Sequence, residues 1–214
     1  MKVIGVIADI VQSSAIPDRK EFQRNLGAIL TRISASAGSA IISPYTITLG
    51  DEFQAVYGEP RGLFRDLVSI LWQTHPTKIR FALSHDVLLT EINTEAAIGM
   101  DGPAFGLARK LLSAMKPIDR TIMQISDGGS LNASLVNASL KVLSNEIDGW
   151  NKTAVGALYC LLNRQAVGEM GRLLGVKERT VYKAISTHHI RDHAGLLLAI
   201  ESQLGAETEP PNAD

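Results

Sequence analysis

What the sequence lacks narrows it first. A single cysteine, Cys160, excludes an internal disulfide and a zinc site built from cysteines. No apolar run reaches the roughly 18 residues that a membrane helix needs, and the chain passes from Lys2 straight into a strand-like alternation. The sequence therefore predicts neither a membrane span nor a signal peptide, and reads as cytoplasmic. Neither sign of charge dominates: 21 Lys+Arg stand against 22 Asp+Glu, a net charge of −1 that argues against a polyanion-coating protein. Internal repeats and low-complexity stretches are missing too. What remains is a globular composition, 45% hydrophobic and 20% charged, in a 214-residue chain long enough for one large domain or two small ones.

The stretch TITLGDEFQAVY, Thr46 to Tyr57, organises the first part. Tyr45, Ile47 and Leu49, then Phe53, Ala55 and Tyr57, alternate with smaller or more polar neighbours, so two strands flank a Gly50-Asp51 break. Near the N-terminus Val3 to Ala8 is a short apolar run ending at Asp9, followed by the polar loop Gln12-Ser13-Ser14. If those strands are neighbours, Asp9 and Asp51 meet at the rim of a sheet. Two carboxylates repel unless a proton or a cation sits between them. A hard ion such as Mg²⁺ takes oxygen ligands and keeps places for water and phosphate, which makes a nucleoside triphosphate the natural third party. The plainer alternative is that Asp51 caps a turn and Asp9 opens a loop.

Helical periodicity follows in Phe22, Leu26, Ile29, Leu30 and Ile33, closed by Gly38, and in Leu63, Leu67, Ile70 and Leu71 between Pro60 and Pro76. Lys78 to Leu83 alternates as a strand that His85 to Leu89 could extend. Pro103 opens a helix with a stripe of Ala104, Ala108, Leu111 and Met115, and Thr121 to Ile125 is one more strand. The order predicts an α+β fold: a ferredoxin-like, palm-type antiparallel sheet with helices on one face. Leu131 to Ile147 reads as a helix that ends at Asp148-Gly149. We place domain boundaries at 1–148, 149–204 and a disordered, acidic tail at 205–214.

From Trp150 the pattern is helical throughout, and 150–204 carries 7 Lys+Arg against 4 Asp+Glu. Ala166 to Ile185, AVGEMGRLLGVKERTVYKAI, has a helix, a turn at Gly175 and a second helix anchored by Val181 and Ile185, the helix-turn-helix pattern. Its N-terminal residues Lys177, Arg179 and Thr180, with Tyr182 and Lys183 behind, are the candidate DNA contacts. A small helical bundle for self-association is the alternative. His188, His189 and His193 read as solvent-facing rather than metal-binding. Trp72 and Trp150 read as core or interface aromatics, and Cys160 as a buried hydrophobe.

Two segments also carry a resemblance. VIADIVQSS, Val6 to Ser14, and TLGDEFQAVY, Thr48 to Tyr57, resemble the metal-binding segments of class III nucleotidyl cyclases, and GDEF is similar to the diguanylate cyclase motif. KIRFALSHDV and DGPAFGLARKLL match later cyclase segments in order, so the resemblance covers about residues 3–126. It implies that Asp9 and Asp51 hold Mg²⁺ or Mn²⁺, one ion activating a ribose hydroxyl and one gripping a triphosphate. The Ile10 carbonyl and the loop through Ser13 and Ser14 would then lie near phosphates. The whole chain looks like the SatD family, with IADI, TLGDEFQ and IGMDGPAF..AR followed by a Trp-introduced helix-turn-helix segment; that family brings no assigned reaction.

Departures from the cyclase pattern bear on activity. The positions of the ribose-orienting Asn and the charge-stabilising Arg are Gly106 and Lys110, and the purine-reading position is Ile47. Arg109 could serve instead, with Asp101 in the same cleft; alternatively Asp101 and Gly102 only turn the chain and Arg109 faces water. Leu49 stands where a diguanylate cyclase needs a second Gly. The expectation is a homodimeric regulator that binds a nucleotide with Mg²⁺ or Mn²⁺ and contacts DNA. A metal-dependent cyclase or other NTP-processing enzyme, and a catalytically inactive dimerisation scaffold, are the alternatives.

Overall fold

The computed structural model describes residues 2–36, 40–118, 120, 122–127 and 133–206. Strand β1 (Lys2–Ile10) is buried along its length apart from Lys2, because both of its faces are apolar. It runs through the middle of a five-stranded sheet of order β2-β3-β1-β4-β5, with β2 at Ile41–Leu49, β3 at Glu52–Tyr57, β4 at Ile79–Val87 and β5 at Ile122–Asp127. The β2–β3 hairpin turns at Gly50-Asp51 as expected, and β1 is antiparallel to both β3 and β4.

Two expectations about the sheet are corrected. It is mixed rather than antiparallel, since β5 pairs in parallel with β4. The chain crosses between them through helix α3 (Pro103–Met115), the kind of long connection a parallel pair requires. Helices also cover both faces. Helices α1 (Arg19–Ser36) and α2 (Leu63–Thr74) pack Leu26, Leu30, Leu67 and Ile70 on the face of Ile4, Val6, Phe53 and Phe81. Helix α3 packs Ala104, Ala108, Leu112 and Met115 on the other face, against Val3, Ile7, Val56 and Ala82.

Helix α4 (Ala133–Asp148) lies along β5 and bonds part of its outer backbone. The Asn137 side chain accepts from the Ile125 N–H and donates to the Ile125 carbonyl, both at 2.8 Å, and Ser144 Oγ accepts from Met123 N–H at 3.0 Å. A helix thus takes the place of a further strand at that edge.

After the bend at Gly149, Asn151 caps α5 (Lys152–Leu162) by accepting from Ala154 N–H at 3.0 Å. Then come α6 (Val167–Leu174), α7 (Glu178–Thr187) and α8 (Ile190–Ala206). Helix α5 lies against α2, where Trp72 and Tyr159 stack at 5.2 Å between centroids and 19° between planes. Contact is close enough that a Cβ on Gly156 would collide with Leu174 and Trp72. Helix α8 returns to the sheet region, where a Glu201 carboxylate oxygen accepts from Gly62 N–H at 2.8 Å just before α2. One apolar core therefore runs without interruption from Phe81 through Leu158 to Val181 and Leu197, across the bend at Asp148-Gly149.

The expected stop at Gly38 and the starts at Thr121 and Leu131 fall outside the described residues, as does 207–214 of the expected tail; Gly205 and Ala206 end α8. Among the described residues no helix is long and apolar enough to cross a membrane.

Candidate functional site

Strand alternation assembles a row of charge. Asp9 near the end of β1, Glu52 at the start of β3 and Arg80 near the start of β4 are direct cross-strand neighbours, Asp9 in the middle. All three face α3, and all three are buried, with relative exposures of 5%, 5% and 6%. The strand does not stop with the apolar run at Ala8; it continues through Asp9 to Ile10. Arg80 is fully engaged: one terminal nitrogen donates to both Asp9 oxygens at 3.2 Å, Nε donates to the Ile118 carbonyl and the other terminal nitrogen to the Lys116 carbonyl, each at 2.9 Å. Glu52 accepts from Arg109 of α3 and, at 3.3 Å, from Lys116 Nζ. Burial nevertheless holds the Asp9 carboxyl above the ordinary aspartate range; Arg80 and Lys116 oppose the shift, and Glu52 adds to it.

Asp51 sits at the hairpin tip, in a different setting. Ser13 Oγ donates to its Oδ2 at 2.7 Å, while its main-chain carbonyl accepts from Ile10 N–H at 3.0 Å. The backbone segments bearing Asp9 and Asp51 thus touch, but the two carboxylates have different partners: Arg80 for Asp9, Ser13 for Asp51. Gln12 turns the chain in the left-handed region (φ 51°), which sets Ser13–Ala15 into a 3₁₀ turn beside the tip. Ile10 is buried and Ser14 is exposed.

The remaining expected residues divide. Arg109 joins the cluster through Glu52, and Lys110 beside it is exposed. Asp101 does not share the cleft. Its Oδ1 accepts from Gly102 N–H at 2.8 Å and its carbonyl accepts from Leu89 N–H at 2.9 Å. Those contacts lie past the far end of β4 at Val87, which is about 24 Å along the strand from Arg80 at a rise of about 3.4 Å per residue. It is the turn before Pro103. Sequence reasoning alone assigns no role to Glu52, Arg80 or Lys116. Period two held the clue, since Phe53, Ala55 and Tyr57 inside on one face oblige Glu52 to the other, and the alternation of KIRFAL does the same for Arg80.

A divalent cation can be tested against these groups. Among the described residues no three His, Cys, Asp or Glu side chains gather as a ready-made set. The donors present at the strand end, two carboxylates and main-chain carbonyls, are all oxygen, which fits a hard ion. Such an ion would share Asp9 with Arg80.

A second surface is formed by α6 and α7. Gly175 ends α6 in the left-handed region (φ 67°), a conformation glycine reaches without strain. The chain then re-enters α7 with Lys177 as its N-cap. Val181 and Ile185 are buried, and Lys177, Arg179, Thr180, Tyr182 and Lys183 are exposed around them. Two of the three histidines depart from expectation. His189 is exposed, but His188 and His193 pack their rings on Trp150 at 5.3 and 5.4 Å between centroids, and burial lowers the pKa of His193. Cys160 is buried as expected, its thiol pushed up to about 11 by that burial.

Comparison with known proteins gives a family and little more. The SatD family model matches residues 3–144. No curated protein matches. Two solved structures described as a bacterial light-regulated adenylyl cyclase are similar at 19% and 18% identity, each with a TM-score of 0.42, over 55% and 58% of this chain. The matched part is 41% and 43% of those chains, so this chain spans about two fifths of their length.

Proposed function

This chain belongs to the SatD family, and we propose that it is a DNA-binding regulator whose sheet region takes a nucleotide together with Mg²⁺ or Mn²⁺. The observation that carries the reading is α7: Lys177, Arg179, Thr180, Tyr182 and Lys183 are exposed on a helix whose Val181 and Ile185 anchor it from behind. We read Val167–Thr187 as a helix-turn-helix with α7 entering the major groove, N-terminal residues first. The net charge of +3 over 150–204 (7 minus 4) suits contact with a polyanion but weak binding by one copy, so the acting species is a homodimer.

For the ligand half, β1 to β4 are read as a ferredoxin-like palm. Asp9, Asp51 and the Ile10 carbonyl would hold the metal, with Ser13, Ser14, Arg109 and Lys110 on the phosphates. The ion, when bound, would offset charge that the triphosphate brings to two carboxylates. Support comes from the all-oxygen donors at the strand end.

Fluorescence anisotropy with duplex DNA at low salt tests the first half. Replacing Lys177, Arg179 and Lys183 together with Ala should weaken binding at least tenfold and flatten the salt dependence by about 0.9 for each phosphate no longer neutralised. Equal binding by both proteins, or none by either, would remove it. Titrating labelled ATP and GTP with Mn²⁺ against wild type and Asp51→Ala tests the second half; equal or no binding in both would end it.

One observation favours a second reading. Asp9, Glu52, Arg80, Arg109 and Lys116 already compensate one another, as in a structural ion-pair network. On that reading the sheet region is a dimerisation scaffold, and its melting temperature stays put when Mn²⁺ and nucleotide are added.

A further inference from the structure

The loop after β1 has two flanks of opposite chemistry. On one, Ser13 Oγ donates to Asp51 Oδ2 at 2.7 Å beside the hairpin tip. On the other, a cavity of about 460 Å³ opens between this loop and the chain that leads into β4. Val11, Ala15, Ile16, Pro17 and Pro76 give it apolar walls. Main-chain bonds hold both sides in place before anything enters: Val11 N–H donates to the Lys78 carbonyl at 3.0 Å, Ala15 N–H to the Gln12 carbonyl at 2.8 Å and Thr77 N–H to the Thr74 carbonyl at 2.9 Å. Lys78 also lines the space, but its Nζ donates to Asp148 Oδ2 at 2.8 Å, so its charge is already answered. Gln12 is exposed and Thr77 half-buried at the rim, and an amide or a hydroxyl can both donate and accept. Apolar walls with a few polar groups, in a space within the range of about 300–1,000 Å³ usual for ligand sites, suit a flat neutral ring.

We propose that this cavity is the base subsite of the nucleotide, taking a purine ring against its apolar walls with the polar edge of the ring on Gln12 and Thr77. The inference rests on the reading that puts phosphates at Ser13 and Ser14. Gln12 and Ala15 line the cavity and bracket those two serines in the chain, so a ligand with a charged end and an apolar end spans the loop with one end on each flank. The α3 side of the strand end offers a ring no such place, because Asp9, Glu52, Arg80, Arg109 and Lys116 fill it with ion pairs. A purine is favoured over a pyrimidine because its larger plane covers more of the apolar wall.

Calorimetric titration of the full chain with ATP, GTP and inorganic tripolyphosphate, each with Mn²⁺, provides the test. The tighter of the two nucleotides should bind at least tenfold more strongly than tripolyphosphate, which carries the charge without the ring. Ala15→Trp, at an exposed wall position, fills the space and should bring nucleotide affinity down to that of tripolyphosphate while leaving tripolyphosphate itself unchanged; Thr77→Tyr at the rim serves if that variant does not fold. In the wild type, cross-relaxation between the base protons and the methyl groups of Val11 and Ile16 should place the ring directly. Equal affinity for tripolyphosphate and both nucleotides, a nucleotide preference that survives both filling variants, or base protons with no contact to those methyls would each overturn the base subsite, while the nucleotide reading stands as long as Asp51→Ala still weakens binding. Absence of binding by all three ligands would end both.

Discussion

At the strand end, five charged groups are drawn into one network and two of its acids are almost wholly out of water; on α7, three cations stand out in it. Asp9 and Glu52 are held by Arg80, Arg109 and Lys116, whereas Lys177, Arg179 and Lys183 are exposed around two buried anchors. Similar residue types do different work in the two places. A buried pair is a commitment of the fold, costly to break and slow to respond to salt. Exposed cations contribute little to stability and remain available to a polyanion.

The sharpest way to break the comparison is Arg80→Ala. It leaves Asp9 buried without its guanidinium and frees the carbonyls of Lys116 and Ile118, so urea unfolding should show a loss of about 3–5 kcal/mol. A loss below about 1 kcal/mol would mean that water reaches the pair and that the network behaves as a surface one. Next in size is the contact that joins the two regions. Gly156→Val drives a side chain into Trp72 and Leu174 and should cost about 1–3 kcal/mol, with the Trp72–Tyr159 stack disturbed in near-ultraviolet circular dichroism. Unchanged stability would show that α5 can move off α2 freely.

Acid should separate the regions by sign. The folded-state pKa of Asp9 is raised, so between its unfolded and folded values the native state binds the extra proton, and stability from this group grows as pH falls. The folded-state pKa of His193 is lowered, so stability from it is present above about 6.5 and is lost as pH falls through its folded value. Thermal melts of Asp9→Asn and His193→Gln against wild type should therefore diverge in opposite directions on acidification. Parallel curves would remove the contrast. Smallest in stability is α7 itself: replacing Lys177, Arg179 and Lys183 with Ala should move unfolding by no more than about 0.5 kcal/mol per site while DNA binding collapses.

Local pattern was enough for much of this chain. The period of 3.6 placed Leu26, Ile29, Leu30 and Ile33 on the buried side of α1, and Val181 and Ile185 behind α7. Period two and a Gly-Asp break located the hairpin at residues 50–51. Such signals are legible because each element must bury one face, and that demand repeats every few residues. Asp9 and Asp51 stood out for their residue types, but a single strand cannot say which carboxylate meets which cation.

Only the tertiary structure decided that Asp9 lies between Glu52 and Arg80, because cross-strand register is set by the pairing of segments 43 and 71 residues away along the chain. It decided also that β5 joins in parallel, that α3 takes the second face of the sheet, and that Asp101 belongs to a turn at the other end. His188 and His193 looked like surface residues by sequence, yet they close on Trp150, since where α7 and α8 come to rest depends on the packing of α5 against α2. The sequence by itself determined the apolar face of elements such as α1 and α7. Which elements would face one another, and so which charges would meet, followed from how their apolar faces packed into one core.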